Sequence, residues 1–224
     1  MGARVLTRPM KLTKWEHACM VFEIGDERLV LDPGGYTSTL EGIENVVAIV
    51  ITHEHADHWT KDQLERILSH NPAAQLFSTE ATAIQAREAG VSTPISVVTP
   101  GDTVTVGAFT LRVFGGEHAV IHSSIPVIDN VGVLINDTFY YPGDSYFVPD
   151  VTVDLLAAPA SAPWLKIGEA MDFVLAVAPK RAVQSHEMVN SAIGNGMAKA
   201  RLAWATEQGG GTFTWLEPGD SFEV

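Results

Sequence analysis

Val46–Ile51 is apolar throughout and mostly β-branched, and it runs without a break into Thr52-His53-Glu54-His55-Ala56-Asp57-His58. A short apolar run with no alternation reads as a strand covered on both faces. Such a strand needs a layer on each side, which restricts the chain to layered α/β or sheet-on-sheet architectures. The polar segment then stands at the strand's C-terminal end. Packing and propensity do not gather three histidines and an aspartate within six residues. Clustered imidazoles and carboxylates demand a counter-charge, and a divalent ion supplies it. Neutral imidazole with carboxylate suits zinc, manganese or iron. On an extended or turning segment His53 and His55 point the same way and can chelate one ion. Asp57 and His58, beyond the bend, can reach a second.

The remaining pattern repeats that theme. Short β-rich runs come first, at Val5–Thr7, Lys11–Trp15, Cys19–Ile24 and Arg28–Leu31, with Gly25-Asp26 as a hairpin turn. After Val46–Ile51 the spacing predicts a helix over Thr60–Ser69 with Thr60 as N-cap, a strand at Gln75–Ser78 and a helix over Thr79–Ala89 closed by Gly90. Strands follow at Ile95–Val98, Thr103–Val106 and Phe109–Phe114. The second half reads as strands at Gly132–Asn136, Thr138–Tyr141 and Val153–Ala157, a helix over Lys166–Val177, a strand at Arg181–Gln184 and a helix over Ser191–Gln208. Thr212–Leu216 and Ser221–Val224 close the chain as β. This order predicts two α/β halves whose mixed sheets pack face to face with helices outside, in one domain over residues 1–224.

Composition narrows the function. A chain of 224 residues, 46% apolar, can build a core without disulfides, and the lone Cys19 has no intrachain partner. The formal charge of −13 argues against a nucleic-acid phosphate surface and against docking on anionic membrane. The basic N-terminus has no apolar stretch behind it, and no run is long enough to span a bilayer. The expectation is a cytoplasmic protein acting on a small molecule, with a homo-oligomer left open.

Pro-Gly-Asp occurs at 100–102, 142–144 and 218–220. The first and third stand before strands and read as turns, so Asp102 and Asp220 are turn residues. The middle one follows Thr138–Tyr141, which puts Asp144 at a strand's C-terminal end, where α/β sheets place their ligands.

His53, His55, Asp57 and His58 meet the H-x-H-x-D-H signature residue for residue, and the chain resembles the metallo-β-lactamase superfamily of binuclear metallohydrolases. That resemblance, from about residue 10 to residue 190, implies a four-layer αββα sandwich. It also implies later ligands, for which the chain offers His118 after Gly115-Gly116, Asp144 in Gly143-Asp144 and His186 in Gln184-Ser185-His186. By the same resemblance His53, His55 and His118 hold one ion, Asp57, His58 and His186 the other, and Asp144 bridges. A metal-bridging hydroxide then cleaves a small-molecule lactone, ester or phosphoester, with zinc as the first metal and manganese the second. The alternative is a catalytically silent metal-binding sensor or scaffold of the same fold.

Trp15-Glu16-His17-Ala18 and Asp32-Pro33 are similar to segments of the compact branch that includes ascorbate-6-phosphate lactonase-like proteins. This places His17 and Asp32 beside the metals, with Asp32 orienting a ligand histidine. Asp57 or His17 would shuttle the leaving-group proton, although a buried structural role fits His17 equally. His122 rivals His118 as a ligand and otherwise lines the pocket. Lys166, after a buried strand, would bind an anionic substrate group or simply start a helix at the surface, and Ser161 and Trp164 share that position.

Overall fold

The computed structural model describes residues 9–224. The strand expected at Val5–Thr7 lies outside the described residues. The chain folds into two seven-stranded sheets. The first contains β1 (Met10–Lys14), β2 (Met20–Ile24), β3 (Glu27–Leu31), β4 (Val46–Val50), β5 (Gln75–Ser78) and β6 (Ile95–Val97) in chain order. The second contains β7 (Thr103–Val106), β8 (Phe109–Glu117), β9 (Asp129–Ile135), β10 (Phe139–Tyr141), β11 (Leu155–Pro159), β12 (Arg181–Ser185) and β13 (Thr212–Thr214). The last strand, β14 (Ser221–Glu223), returns to the first sheet and pairs antiparallel with β1.

Both sheets open as antiparallel meanders and continue as parallel strands. In the first, β1 to β3 are antiparallel and β3 to β6 parallel. In the second, β7 to β10 are antiparallel and β10 to β13 parallel. Parallel neighbours need crossovers. Helices α1 (Lys61–His70) and α2 (Glu80–Glu88) supply two of them in the first sheet. Helices α3 (Ile167–Val177) and α4 (Ala192–Gln208) supply two in the second. Thr60, Thr79 and Ser191 cap α1, α2 and α4 by accepting the N–H three residues on, which meets one otherwise unpaired donor in each.

Three apolar layers hold these elements. Between the sheets, Leu12, Phe22 and Leu31 face Phe109, Val133 and Phe139, and the Phe22 and Phe139 rings lie 4.7 Å apart. Under α1, Ile49, Leu64, Ile67 and Leu76 pack together. Under α3 and α4, Leu156, Phe173, Val174 and Leu202 do the same. β4 shows why its sequence carries no alternation. Ala48 and Val50 face the inter-sheet layer, while Ile49 and Ile51 face the helix layer. Each of the fully buried valine and isoleucine side chains contributes roughly 1.5–3 kcal/mol.

Several boundaries differ from the sequence reading. β8 continues through Gly115 and Gly116 to Glu117, because β9 keeps pairing with it there, Gly116 against Asn130 and Glu117 against Asp129. Gly115 and Gly116 take positive φ, 81° and 142°, and so bend the strand without ending it. β11 lies two residues later than expected, and Lys166 caps α3 instead of beginning it.

Candidate metal centre

Six loops deliver the site, each from a strand's C-terminal end. His17 follows β1, Asp32 follows β3, His53 to His58 follow β4, His118 follows β8, Asp144 follows β10 and His186 follows β12. The loops are bonded to one another. The Val131 N–H donates to Thr52 O at 3.0 Å, joining the sheets, and the Ala119 N–H donates to Asp144 O at 2.8 Å. The chain at Gly34 runs so close to the β4 loop that a Cβ there would lie 1.7 Å from Asp57 O.

The result is two adjoining groups. His53, His55, His118 and Asp144 bring ligand atoms within 4.8 Å of one another, and so do His17, Asp57, His58 and His186. Asp144 touches both groups. Its Oδ2 lies 3.4 Å from His118 Nε2 and 3.1 Å from His186 Nε2, and its Oδ1 lies 3.3 Å from His58 Nε2. Asp57 Oδ2 lies 3.0 Å from His17 Nε2 and 3.3 Å from His186 Nε2.

The back-side nitrogens of three histidines are tied down by acceptors. His58 Nδ1 donates to Asp32 Oδ2 at 2.7 Å, and Asp32 also accepts the Thr52 N–H and hydroxyl, each at 2.7 Å. His118 Nδ1 donates to the Ala119 carbonyl at 2.6 Å, and His186 Nδ1 to the Ser161 carbonyl at 2.5 Å. A carbonyl can only accept, so Nδ1 carries the proton and Nε2 faces the cluster. The inward atoms are then without partners: His58 Nε2, His118 Nε2, His186 Nε2 and Asp144 Oδ1. A buried polar atom left unpaired costs about 1–3 kcal/mol. Several converging on one spot fit divalent cations, with imidazole and carboxylate as donors.

The protonation equilibria reflect the same crowding. Burial disfavours the His58 imidazolium, but Asp144 and Asp32 outweigh it and hold its pKa well above the usual value. Burial and Asp144 compete likewise at His186, which ends raised to about 9. Burial wins at His17, lowered to about 4 despite its bond to Asp57. It also wins at His53, with help from neighbouring His58, and at His55, with help from His118. Burial opposes ionisation of Asp144 and Asp57 as well. Facing histidines nevertheless pull both carboxyls well down. Without a cation, the cluster is thus a set of carboxylates holding protons on His58 and His186.

The residues singled out from sequence distribute as follows. All seven ligand candidates and Asp32 come together here. His17, expected beside the metals, lies within the second group. His122 does not reach the cluster: it is exposed, and its Nδ1 lies 2.7 Å from Ser124 Oγ. Lys166 also stays outside, with a side chain 78% exposed and 3.8 Å from Glu169 Oε1. Asp102 accepts the Thr99 N–H at 2.7 Å and Asp220 the Glu217 N–H at 2.9 Å, both within exposed turns. Cys19 is buried, and burial pushes its thiol pKa up.

Sequence reading gave Trp164 the same two roles as Lys166, contact with an anionic substrate group or a helix start at the surface. Its indole N–H donates to Asp144 Oδ2 at 2.8 Å. Thr52 and Asn130 went unnoticed. Asn130 Oδ1 accepts the Asp144 N–H at 2.9 Å, and its Nδ2 donates to Pro142 O at 2.9 Å, clamping the Asp144 turn. A signal existed, since Asn130 is a polar residue at the head of the apolar run Val131–Ile135. A cavity of about 550 Å³ adjoins His118 and Trp164. Val120, Tyr146 and Phe147 form apolar walls there, and its charged lining groups, Glu117 and Glu169, are both acidic.

Comparisons with known proteins bear on the family and the fold. The chain is 43% identical over 202 residues to protein Rv0786c of Mycobacterium tuberculosis, covering 88% of this chain and 93% of that one. Its fold is similar to that of Igni18, described as a novel metallo hydrolase from Ignicoccus hospitalis, with a TM-score of 0.74 at 18% identity, over 96% of this chain and 98% of the other. It is also similar to the metallo-beta-lactamase fold protein YhfI from Bacillus subtilis, with a TM-score of 0.72 at 17% identity, over 97% and 100% of the two chains. The αββα arrangement is therefore the metallo-β-lactamase fold. The family model of the beta-lactamase superfamily domain matches residues 11–186, and the chain belongs to that family.

Proposed function

We propose that the chain is a binuclear metal-dependent hydrolase of a small-molecule lactone, ester or phosphoester. One observation carries this reading: unpaired His58, His118 and His186 Nε2 and Asp144 Oδ1 converge at one point while the opposite ring nitrogens are anchored. His53, His55 and His118 would hold one ion and Asp57, His58 and His186 the other, with Asp144 between. His17 is placed to join the second set. Imidazole with carboxylate makes zinc the first candidate, and the lack of a thiolate, which would favour zinc most strongly, keeps manganese as the second.

When bound, the ions would supply Lewis acidity toward the scissile group and would acidify water at the site. The chain's own contributions are orientation and proton handling. Trp164 Nε1 fixes the Asp144 carboxylate by its bond to Oδ2. Asp57 Oδ2 and His17 Nε2, 3.0 Å apart, are the pair that would relay a proton to a leaving group.

The cavity beside Trp164 suits an apolar substituent of the substrate. Its charged walls are Glu117 and Glu169, so any preference for an anionic substrate must come from the metals. The segments Trp15-Glu16-His17-Ala18 and Asp32-Pro33 favour the lactonase-like branch. The test is turnover by metal-loaded protein on paired neutral and anionic lactones, esters and phosphodiesters. Hydrolysis that disappears in Asp144→Ala is expected. A protein with two bound metals and no turnover across the panel would overturn the hydrolase reading in favour of a silent metal-binding protein.

A further inference from the structure

Below the second histidine group lies a charge pair that nothing in the ligand set explains. Lys14 ends β1 with its side chain wholly buried, and its Nζ lies 2.9 Å from Glu187 Oε1, on a side chain only 7% exposed. The ammonium has three protons, and three acceptors meet them: Glu187 Oε1, His17 O at 2.8 Å and Trp15 O. Glu187 Oε1 accepts a second bond, from the His17 N–H at 2.9 Å. Both peptide groups flanking the His17 Cα are thus gripped by one ion pair.

That grip has a specific object. His17 and His186 both stand in the left-handed region, with φ of 60° and 63°. A residue other than glycine held there costs of order 1–3 kcal/mol and persists only where its surroundings over-determine it. The two residues are also joined to each other. The His186 N–H donates to His17 O at 3.0 Å, and their rings lie 3.8 Å apart. Glu187 is the next residue after His186. The same carboxylate therefore tethers the His17 turn through space and the His186 turn through the chain.

We propose that Lys14 and Glu187 are positioning residues for the second metal site, holding His17 and His186 in the strained backbone from which their rings reach Asp57. The first group, His53, His55, His118 and Asp144, receives no such bond. Loss of the pair should therefore act selectively. This inference rests on the reading of the two groups as metal sites.

The test is metal binding, read as the affinity of each equivalent by chelator competition, with thermal stability of the metal-free protein measured alongside. Removing one partner of a buried pair leaves an uncompensated charge and can unfold the chain, so the decisive variant is Lys14→Met/Glu187→Leu. Replacing both partners by apolar groups is often neutral for stability. The expected result is a second equivalent weakened by about 10- to 100-fold, the usual effect of losing an outer partner of a ligand. The first equivalent should stay near wild type, while the metal-free melting temperature should fall only modestly, because the His17 N–H loses its acceptor. Glu187→Gln, which keeps an acceptor for the His17 N–H, should fall between the double variant and wild type. Wild-type affinity for both equivalents in the double variant would overturn the proposal, as would equal weakening of the two. Wild-type protein that never takes a second equivalent would instead overturn the two-site reading beneath it.

Discussion

Asp32→Asn changes one atom and should disable a ligand it does not contain. In the native chain one Asp32 oxygen accepts the Thr52 N–H, and the other accepts the Thr52 hydroxyl and the His58 Nδ1–H, all at 2.7 Å. If the asparagine oxygen stays on the Thr52 N–H, its amide nitrogen faces His58 Nδ1 as a donor. The His58 proton must then move to Nε2, the atom 3.3 Å from Asp144 Oδ1. A protonated Nε2 has no lone pair for a cation. If the amide flips, its nitrogen opposes the Thr52 N–H instead. Either way a buried bond involving a charged group is lost, worth about 1.5–3 kcal/mol. At 1.4 kcal/mol per tenfold, that is roughly 10- to 150-fold in affinity for the second metal. Chelator competition measures it. Nitrogen–proton NMR of the metal-free protein at alkaline pH shows which His58 nitrogen keeps the proton. Wild-type affinity, with the proton still on Nδ1, would refute the orienting role of Asp32.

Three further outcomes follow from the geometry. Asp144→Ala should remove turnover and weaken both metals, whereas Asp102→Ala and Asp220→Ala should cost about 1 kcal/mol each and leave metal binding intact; kinetics with elemental analysis separates them. Gly34→Ala should leave little folded protein by circular dichroism, because its Cβ would lie 1.7 Å from Asp57 O, and a stable variant would mean the two loops are not in contact. Metal-free protein should melt highest near pH 6.5. The His186 contribution, from a pKa raised to about 9, is present below the unfolded value near 6.5 and is lost as pH rises through 9. The His17 contribution, from a pKa lowered to about 4, is present above 6.5 and is lost as pH falls toward 4. A melting temperature that climbs steadily from pH 5 to 9 would contradict these assignments.

How much of this was legible depended on distance along the chain. Val46–Ile51 announced a doubly covered strand because its own composition carries the signal, and His53 to His58 announced a metal site because four donors fall within one short loop. Asp144 was separable from Asp102 and Asp220 by strand order alone. The residues that anchor the ligands were less legible, because their logic lies in contacts made across the fold. Lys14 and Glu187 are 173 positions apart. Each looks like an ordinary surface charge until folding buries it. His17 and His186 give no sequence sign of their positive φ, since neither is a glycine. Lys166 and His122 misled in the opposite direction. Both sit near site residues in sequence, but Lys166 points to solvent from the cap of α3, and His122 turns back on its own loop at Ser124.

The measurement that bears most directly on the central claim is the metal content of the chain at saturation, taken together with His53→Ala and His186→Ala. His53 and His186 belong to different groups of four. Elemental analysis after removal of excess metal should give about two equivalents per chain for the native protein. Each variant should lose tight binding at its own group first and keep about one equivalent. Native protein that settles at one equivalent in excess zinc or manganese, or variants that still retain two, would contradict a centre built from two adjoining sites.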